Sequence, residues 1–260
     1  MLYLAIETSS IRGSVGLFSE SEWIRQLDLD EGLTCGDELL SRISTLLEDH
    51  RTTVSSLDGV AVSVGPGSYT GTRVGVTAAK TLSLACQLPV SGLETLPLLA
   101  ANAGLAHVTG LAGNGLPDAE RYYVATILDG RQHFLYGALY EVERSACTWP
   151  VASRPRQIVP QSVDDATTLW SVLEQRIANL GDSPVVAIGD GAEQLLTLAP
   201  SGRILRGPQA LDYPSARALG SLSAAELKTL EWDADRTHRL EPLYMRATEA
   251  ERKLMNRATG

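Results

Sequence analysis

The chain opens with short apolar runs separated by polar turns. Residues 2–6, Leu-Tyr-Leu-Ala-Ile, are continuously apolar and read as a buried strand, followed by the polar turn Glu7-Thr8-Ser9-Ser10. Residues 13–18 and 23–29 read as second and third strands, and the short turns between them predict an antiparallel meander. From residue 36 to 50 the period changes. Leu39, Leu40, Ile43, Leu46 and Leu47 fall at i, i+1, i+4, i+7 and i+8, an amphipathic helical stripe with Asp37 as N-cap. Residues 60–64, Val-Ala-Val-Ser-Val, read as another buried strand, and 76–85 as a helix rich in good helix formers.

Further along, 88–92 reads as a short strand and 93–103 as a helix, so strand–helix alternation predicts parallel pairing. Residues 104–120 carry four glycines and a proline without a strong pattern, which predicts a boundary between two lobes. A hairpin follows, 122–128 and 134–142 around the turn Asp129-Gly130-Arg131. Residues 146–160 read as irregular, with Arg154 and Arg156 forming a small basic spot. A helix over 163–180, a strand over 185–188, a glycine turn at Gly189-Asp190-Gly191 opening another helix, and a helix over 215–230 complete the pattern.

Between the strand at 60–64 and its helix lies Gly65-Pro66-Gly67-Ser68-Tyr69-Thr70-Gly71-Thr72-Arg73-Val74-Gly75. A strand, a glycine-rich turn and a helix bring backbone N–H groups close to whatever faces them. The dinucleotide fingerprint fails here, because its third glycine comes one residue late, at Gly71, and no Gly-Lys-Ser/Thr triplet follows. Gly71, Gly75, Ala79 and Ser83 recur every four residues, a ridge of small side chains that lets a neighbour approach closely. That neighbour is either the chain's own sheet or a helix, from this chain or from a partner.

Composition narrows the function classes. The chain has 260 residues, 44% hydrophobic and 20% charged, with a net charge of −9. This is a globular composition, and the acidic balance argues against independent RNA binding. The start carries no basic leader and no apolar run reaches the ~20 residues of a membrane span, so neither a signal segment nor a membrane helix is expected. Cys35, Cys86 and Cys147 are scattered, giving no disulfide or zinc framework. A Gly-x-Ser-x-Gly nucleophile turn is absent.

The Gly65–Gly75 stretch, with the Ala79-Lys80 helix behind it, resembles the signature of the TsaB (YeaZ) family, bacterial partner proteins in making threonylcarbamoyladenosine on tRNA. Asp129, Arg131 and Tyr136 resemble that family's hairpin, although a turn with its own Asp–Arg pair explains them as well. Glu241-Pro242-Leu243-Tyr244-Met245-Arg246 resembles its Glu-Pro-x-Tyr-x-Arg element. The likeness spans residues 2 to about 253, but where many relatives place a histidine before the first helix, this chain has Cys35.

The resemblance implies an α/β, two-lobed, actin-like and ribonuclease-H-like (ASKHA) fold. The lobes are expected at 1–108 and 109–260, with the last helix packing back on the first lobe. It implies a cytoplasmic, non-catalytic subunit that supports TsaD in threonylcarbamoyl transfer to adenosine 37 of tRNAs reading codons beginning with A. TsaE would join that complex, tRNA would be met only through it, and the lone chain would pair with its own copy if at all. The pairing surface is implied on two helices: Leu39, Leu40, Ile43 and Leu47 on the first. On the second it is Gly71, Val74, Gly75, Ala78, Ala79 and Leu82.

In the wider superfamily a phosphate turn and a strand-end acid hold a metal-bound nucleotide. Glu7, Thr8, Ser9, Gly65 and Gly67 are the matching candidates, and a capped turn explains them equally. No tightly bound cofactor is expected; ATP or ADP with Mg belongs to the complex. The catalytic relative TsaD carries His-x-x-x-His. His50, His107, His133 and His238 have no such spacing, so no catalytic or metal residue is assigned. Two alternatives stand beside this reading: an ATP-dependent phosphotransferase or ATPase using Glu7 with the turns at Gly65 and Gly189, and a self-pairing scaffold. The tail sets Arg246, Arg252, Lys253 and Arg257 against Glu249 and Glu251, a local surplus that would meet tRNA phosphate, a partner or only solvent.

Overall fold

The chain folds as two sheets of the same strand order facing each other across shared helices. The computed structural model describes residues 1–30, 36–109, 115–144, 149, 154–200 and 202–246. Cys35, Cys147 and the tail charges Glu249, Glu251, Arg252, Lys253 and Arg257 lie outside the described residues.

The first sheet holds β1 (Leu2–Glu7), β2 (Ser14–Ser19), β3 (Trp23–Asp28), β4 (Gly59–Gly65) and β5 (Val90–Glu94) in the order β3-β2-β1-β4-β5. β1, β2 and β3 form the expected antiparallel meander, and β4 and β5 run parallel to β1. Helices α1 (Gly36–Asp49) and α2 (Tyr69–Cys86) cover one face. β1 is apolar from Leu2 to Ile6 because it is covered on both sides: Leu4 and Ile6 point into the core beneath α1 and α2, and Tyr3 and Ala5 into the core on the opposite face.

The second sheet repeats the plan. β6 (Arg121–Asp129), β7 (Phe134–Glu143) and β8 (Arg156–Asp165) are antiparallel, and β9 (Val185–Ile188) and β10 (Leu205–Arg206) add in parallel on the other side of β6. α4 (Ala166–Ile177) and α5 (Ala192–Leu196) cover its outer face.

Two helices lie between the sheets. α3 (Thr95–Thr109) follows the first sheet in sequence, yet packs on β6 and β7. α6 (Ala216–Thr229) follows the second sheet, yet its apolar side chains pack with Tyr3, Ala5, Phe18 and Ala61 of the first. α3 also touches α6, which explains why it is buried nearly all round and has no polar face. The last helix, α7 (Ala234–Arg239), packs on α2.

Several sequence expectations need correction. The helix expected at 163–180 begins only at Ala166, because Val163, Asp164 and Asp165 pair with Tyr136, Leu135 and Phe134 of β7. Asp165 then caps the helix by accepting from the Thr167 and Thr168 N–H groups. The loose region expected from 104 is helical to Thr109. Leu93 and Glu94, read as helix, finish β5. Asp37 falls inside the first turn of α1 rather than before it. The basic spot of Arg154 and Arg156 is neutralised by Glu226 and Glu141.

Candidate functional site

The glycine turn is built against the first turn of the chain. Gly65 and Gly67 have φ of 103° and 155°, and a Cβ on Gly67 would stand 2.0 Å from the Ser9 carbonyl oxygen. Ser68 N–H donates to that same oxygen at 2.7 Å, while Ser68 Oγ caps α2 by accepting from Gly71 N–H. Thr8 Oγ1 donates to the Gly71 carbonyl at 2.8 Å. The close approach therefore joins two turns of one chain.

Beneath them lies Glu7, fully buried at the end of β1. Its Oε1 accepts from Ser9 N–H at 2.7 Å, from Ser63 Oγ at 3.1 Å and from Ser9 Oγ, while Oε2 has no hydrogen-bond partner among the described residues. Burial pushes the carboxyl up to about 7, against the pull of the Ser9 and Ser63 hydrogen bonds.

Above this turn a cleft of about 600 Å³ opens between the lobes. Ser9, Gly67, Tyr69 and Thr72 form one wall, and Asp129, Arg131, Tyr136 and Asp190 the other. Thr72 Oγ1 is buried there without a hydrogen-bond partner among the described residues. Burial raises the Asp190 carboxyl above its usual range, the charges of Asp129 and Asp212 add to this, and the Asp129 N–H it accepts offsets part. Of the five nucleotide candidates, Ser9 and Gly67 line the cleft; Glu7, Thr8 and Gly65 lie behind its wall. Among the described residues no three His, Cys, Asp or Glu side chains converge as a metal site.

The ten implied pairing residues divide. Gly71, Gly75 and Ala79 turn inward, so the small-residue ridge meets the chain's own sheet: a Cβ on Gly71 would stand 2.1 Å from the Thr8 carbonyl oxygen and one on Gly75 2.1 Å from Thr8 Oγ1. Ile43 and Leu47 are core residues, and Leu39 is buried at the foot of the groove between α1 and α2. Leu40, Val74, Ala78 and Leu82 line that groove, a cavity of about 340 Å³ with mostly apolar walls. Leu40 is 54% exposed. Arg73, Thr77 and Thr81 complete the α2 side and were missed in the sequence, although they lie on the helical face of Val74 and Ala78.

A third wall of the cleft was also missed. Leu243, Tyr244 and Arg246 come from the segment after α7. The signal lay in the Glu-Pro-x-Tyr-x-Arg element, whose Tyr and Arg stand two residues apart and so share one side of an extended chain.

Two halves of equal strand order, exchanging a helix and enclosing a cleft, define a two-lobed α/β protein of the actin-like, ribonuclease-H-like class. Residues 37–254 match the sequence model of the family described as TsaD: tRNA N6-adenosine threonylcarbamoyltransferase. The tRNA threonylcarbamoyladenosine biosynthesis protein TsaB of Bacillus subtilis (strain 168) is 29% identical over 261 residues, 97% of each chain. Its namesake in Escherichia coli (strain K12) is 27% identical over 98% of each. In fold, the chain is similar to YeaZ from Pseudomonas aeruginosa, with a TM-score of 0.68 at 23% identity, covering 94% of this chain and 99% of that one. The chain belongs to this family, and by its full-length relatives to the TsaB (YeaZ) line within it.

No helix among the described residues is long and apolar enough to cross a membrane.

Proposed function

We propose that the chain works in tRNA threonylcarbamoyladenosine biosynthesis as a non-catalytic, cytoplasmic subunit that docks TsaD in the groove between α1 and α2. The observation that carries this is the groove itself. Leu40 stands more than half exposed over the apolar flanks of Val74, Ala78 and Leu82. An apolar strip between two helices is a place where another helix pair buries its own side chains. The relatives' names supply the pathway.

In this role the chain stabilises the competent state of TsaD, which transfers threonylcarbamoyl to adenosine 37 of tRNAs reading codons beginning with A. TsaE joins the pair, with ATP or ADP and Mg held at the level of the complex. The net charge of −9 suits a subunit that meets tRNA through its partner.

Sedimentation of the chain, alone and mixed with its cognate TsaD, tests the proposal with and without Mg-ATP. A one-to-one complex that Leu40→Asp or Ala78→Arg abolishes is the expected result. No complex under any condition overturns it. Dimers of the lone chain that persist unchanged beside TsaD favour the self-pairing scaffold.

A further inference from the structure

Residues 240–246 leave α7 on the first lobe, cross the cleft and end on the second. Each end is anchored by different chemistry. On the first lobe Lys80 Nζ donates to the His238 and Leu240 carbonyls at 2.8 and 3.0 Å, and Leu240 packs over Gly92 of β5. Leu243 N–H donates to the Val64 carbonyl of β4 at 2.6 Å. The Leu243 carbonyl passes so close to Gly65 that a Cβ there would stand 2.9 Å away. The glycine turn thus makes room for this segment, and the Tyr244 ring stacks on Tyr69 of α2 at 4.9 Å.

On the second lobe Met245 packs against the core that holds Leu128 and Tyr136, and the polar contacts come from Arg246. Its Nη1 donates to the Gly130 and Arg131 carbonyls at 3.2 and 3.1 Å, its Nη2 to Gln132 Oε1 at 2.7 Å, and its guanidinium lies 3.9 Å over the Phe134 ring. These contacts clamp the β6–β7 turn, where Arg131, Gln132 and His133 all carry positive φ. Three successive left-handed non-glycine residues are costly unless something holds them. Leu243 and Tyr244, between the two anchors, and Arg246 itself wall the cleft.

We infer that residues 240–246 are a latch that fixes the opening between the lobes, with Arg246 as its catch on the second lobe and Lys80 as its anchor on the first. Away from the strap, the described residues link the lobes through the packed helices α3 and α6, through Trp149 against Trp23 and Phe18, and through Gln161 Nε2 donating to Glu94 Oε2 at 2.9 Å. One side of the molecule is therefore a hinge of packed helices and the other a strap of hydrogen bonds and rings. Breaking the strap leaves both sheets and both cores whole and frees the angle between them.

Amide hydrogen exchange on the full chain tests this with two variants acting from opposite ends. Arg246→Gln removes the catch, and Lys80→Met releases the anchor. The latch predicts that each variant speeds exchange by about tenfold or more on both lobes at once, at the hairpin tip 129–134 and in the segment 64–72. α1 and α4, remote from the strap, keep wild-type protection. Changes confined to the hairpin tip in Arg246→Gln, and to the first lobe in Lys80→Met, overturn the inference, since each residue would then be a local cap. Loss of protection throughout, α4 included, in both variants overturns it as well, because the strap would then hold the fold itself.

Discussion

Gly75 of α2 and Thr8 of the first turn meet so closely that a Cβ on the glycine would stand 2.1 Å from Thr8 Oγ1. That hydroxyl cannot turn away freely, because it donates to the Gly71 carbonyl. Gly75→Ala should therefore cost about 1–3 kcal/mol, read as a lowered urea midpoint. Thr8→Ala in the same chain should recover part of the loss, and additive losses would show that the two residues do not meet. Gly75→Leu reports on folding rather than on pairing.

The pairing surface is tested on the outer face. Leu40 is more than half exposed and outside the buried core, so the denaturation midpoint of Leu40→Asp should stay within about 1 kcal/mol of wild type. Affinity for TsaD should fall at least about tenfold, as expected for an anchor at the centre of an apolar interface. Unchanged affinity would move the docking site elsewhere.

Glu7 links stability to pH. Its folded carboxyl titrates at about 7, against 4.5 in the open chain. A raised value means that the protonated form suits the fold. The stabilisation is full below 4.5 and is lost as pH rises through 7. Over that window the loss approaches about 3 kcal/mol. Glu7→Gln should flatten this part of the stability profile, with denaturation measured at pH 5 and pH 8. Equal pH slopes for the two chains would refute the assignment.

Asp212 supports the second glycine turn. It is nearly buried, accepts from Gly189 N–H at 2.9 Å and pairs with Arg206 Nη2 at 2.5 Å. Gly189 itself has φ of 113° and no space for a Cβ against the Ile127 carbonyl. Asp212→Ala should cost about 1–3 kcal/mol in chemical denaturation, since it leaves the buried Gly189 N–H without its acceptor, while Arg206 keeps Glu193 and the Ala187 and Gly207 carbonyls. Asp212→Asn, which keeps the amide contact, should lose less.

Much of this was readable in the chain. β1 and β4 announce themselves because both faces are covered and all but Glu7 and Ser63 lack a polar side chain or, as Tyr3, carry a mostly apolar one, and the α1 stripe has the helical period. The small-residue ridge could not be resolved by pattern: Gly71, Gly75 and Ala79 would look the same against a sheet or a foreign helix, and the position of Thr8, 63 residues before Gly71, decides. β8 was hidden because Pro160 and a run of polar residues break the strand pattern, which an edge strand tolerates. The cleft was legible only in part, because Ser9, Asp190 and Tyr244 come from distant stretches, and no local spacing records that they face one space.

The exchange of α3 and α6 between the halves has a consequence for how the chain is made. Ala216 N–H donates to Ser14 Oγ across 202 residues of sequence, and the inner face of the first sheet is covered only in part, by Leu98, Ala101 and Leu105 of α3, until α6 arrives. On the ribosome, the amino-terminal half must wait for nearly the whole polypeptide before its sheet is covered, an arrangement of high contact order. Neither half covers its own sheet without a helix from the other. A chain cut between Thr109 and Arg121 should give two fragments that aggregate when made singly. The same fragments should recover a soluble heterodimer when made together, as gel filtration of the co-expressed pair would record.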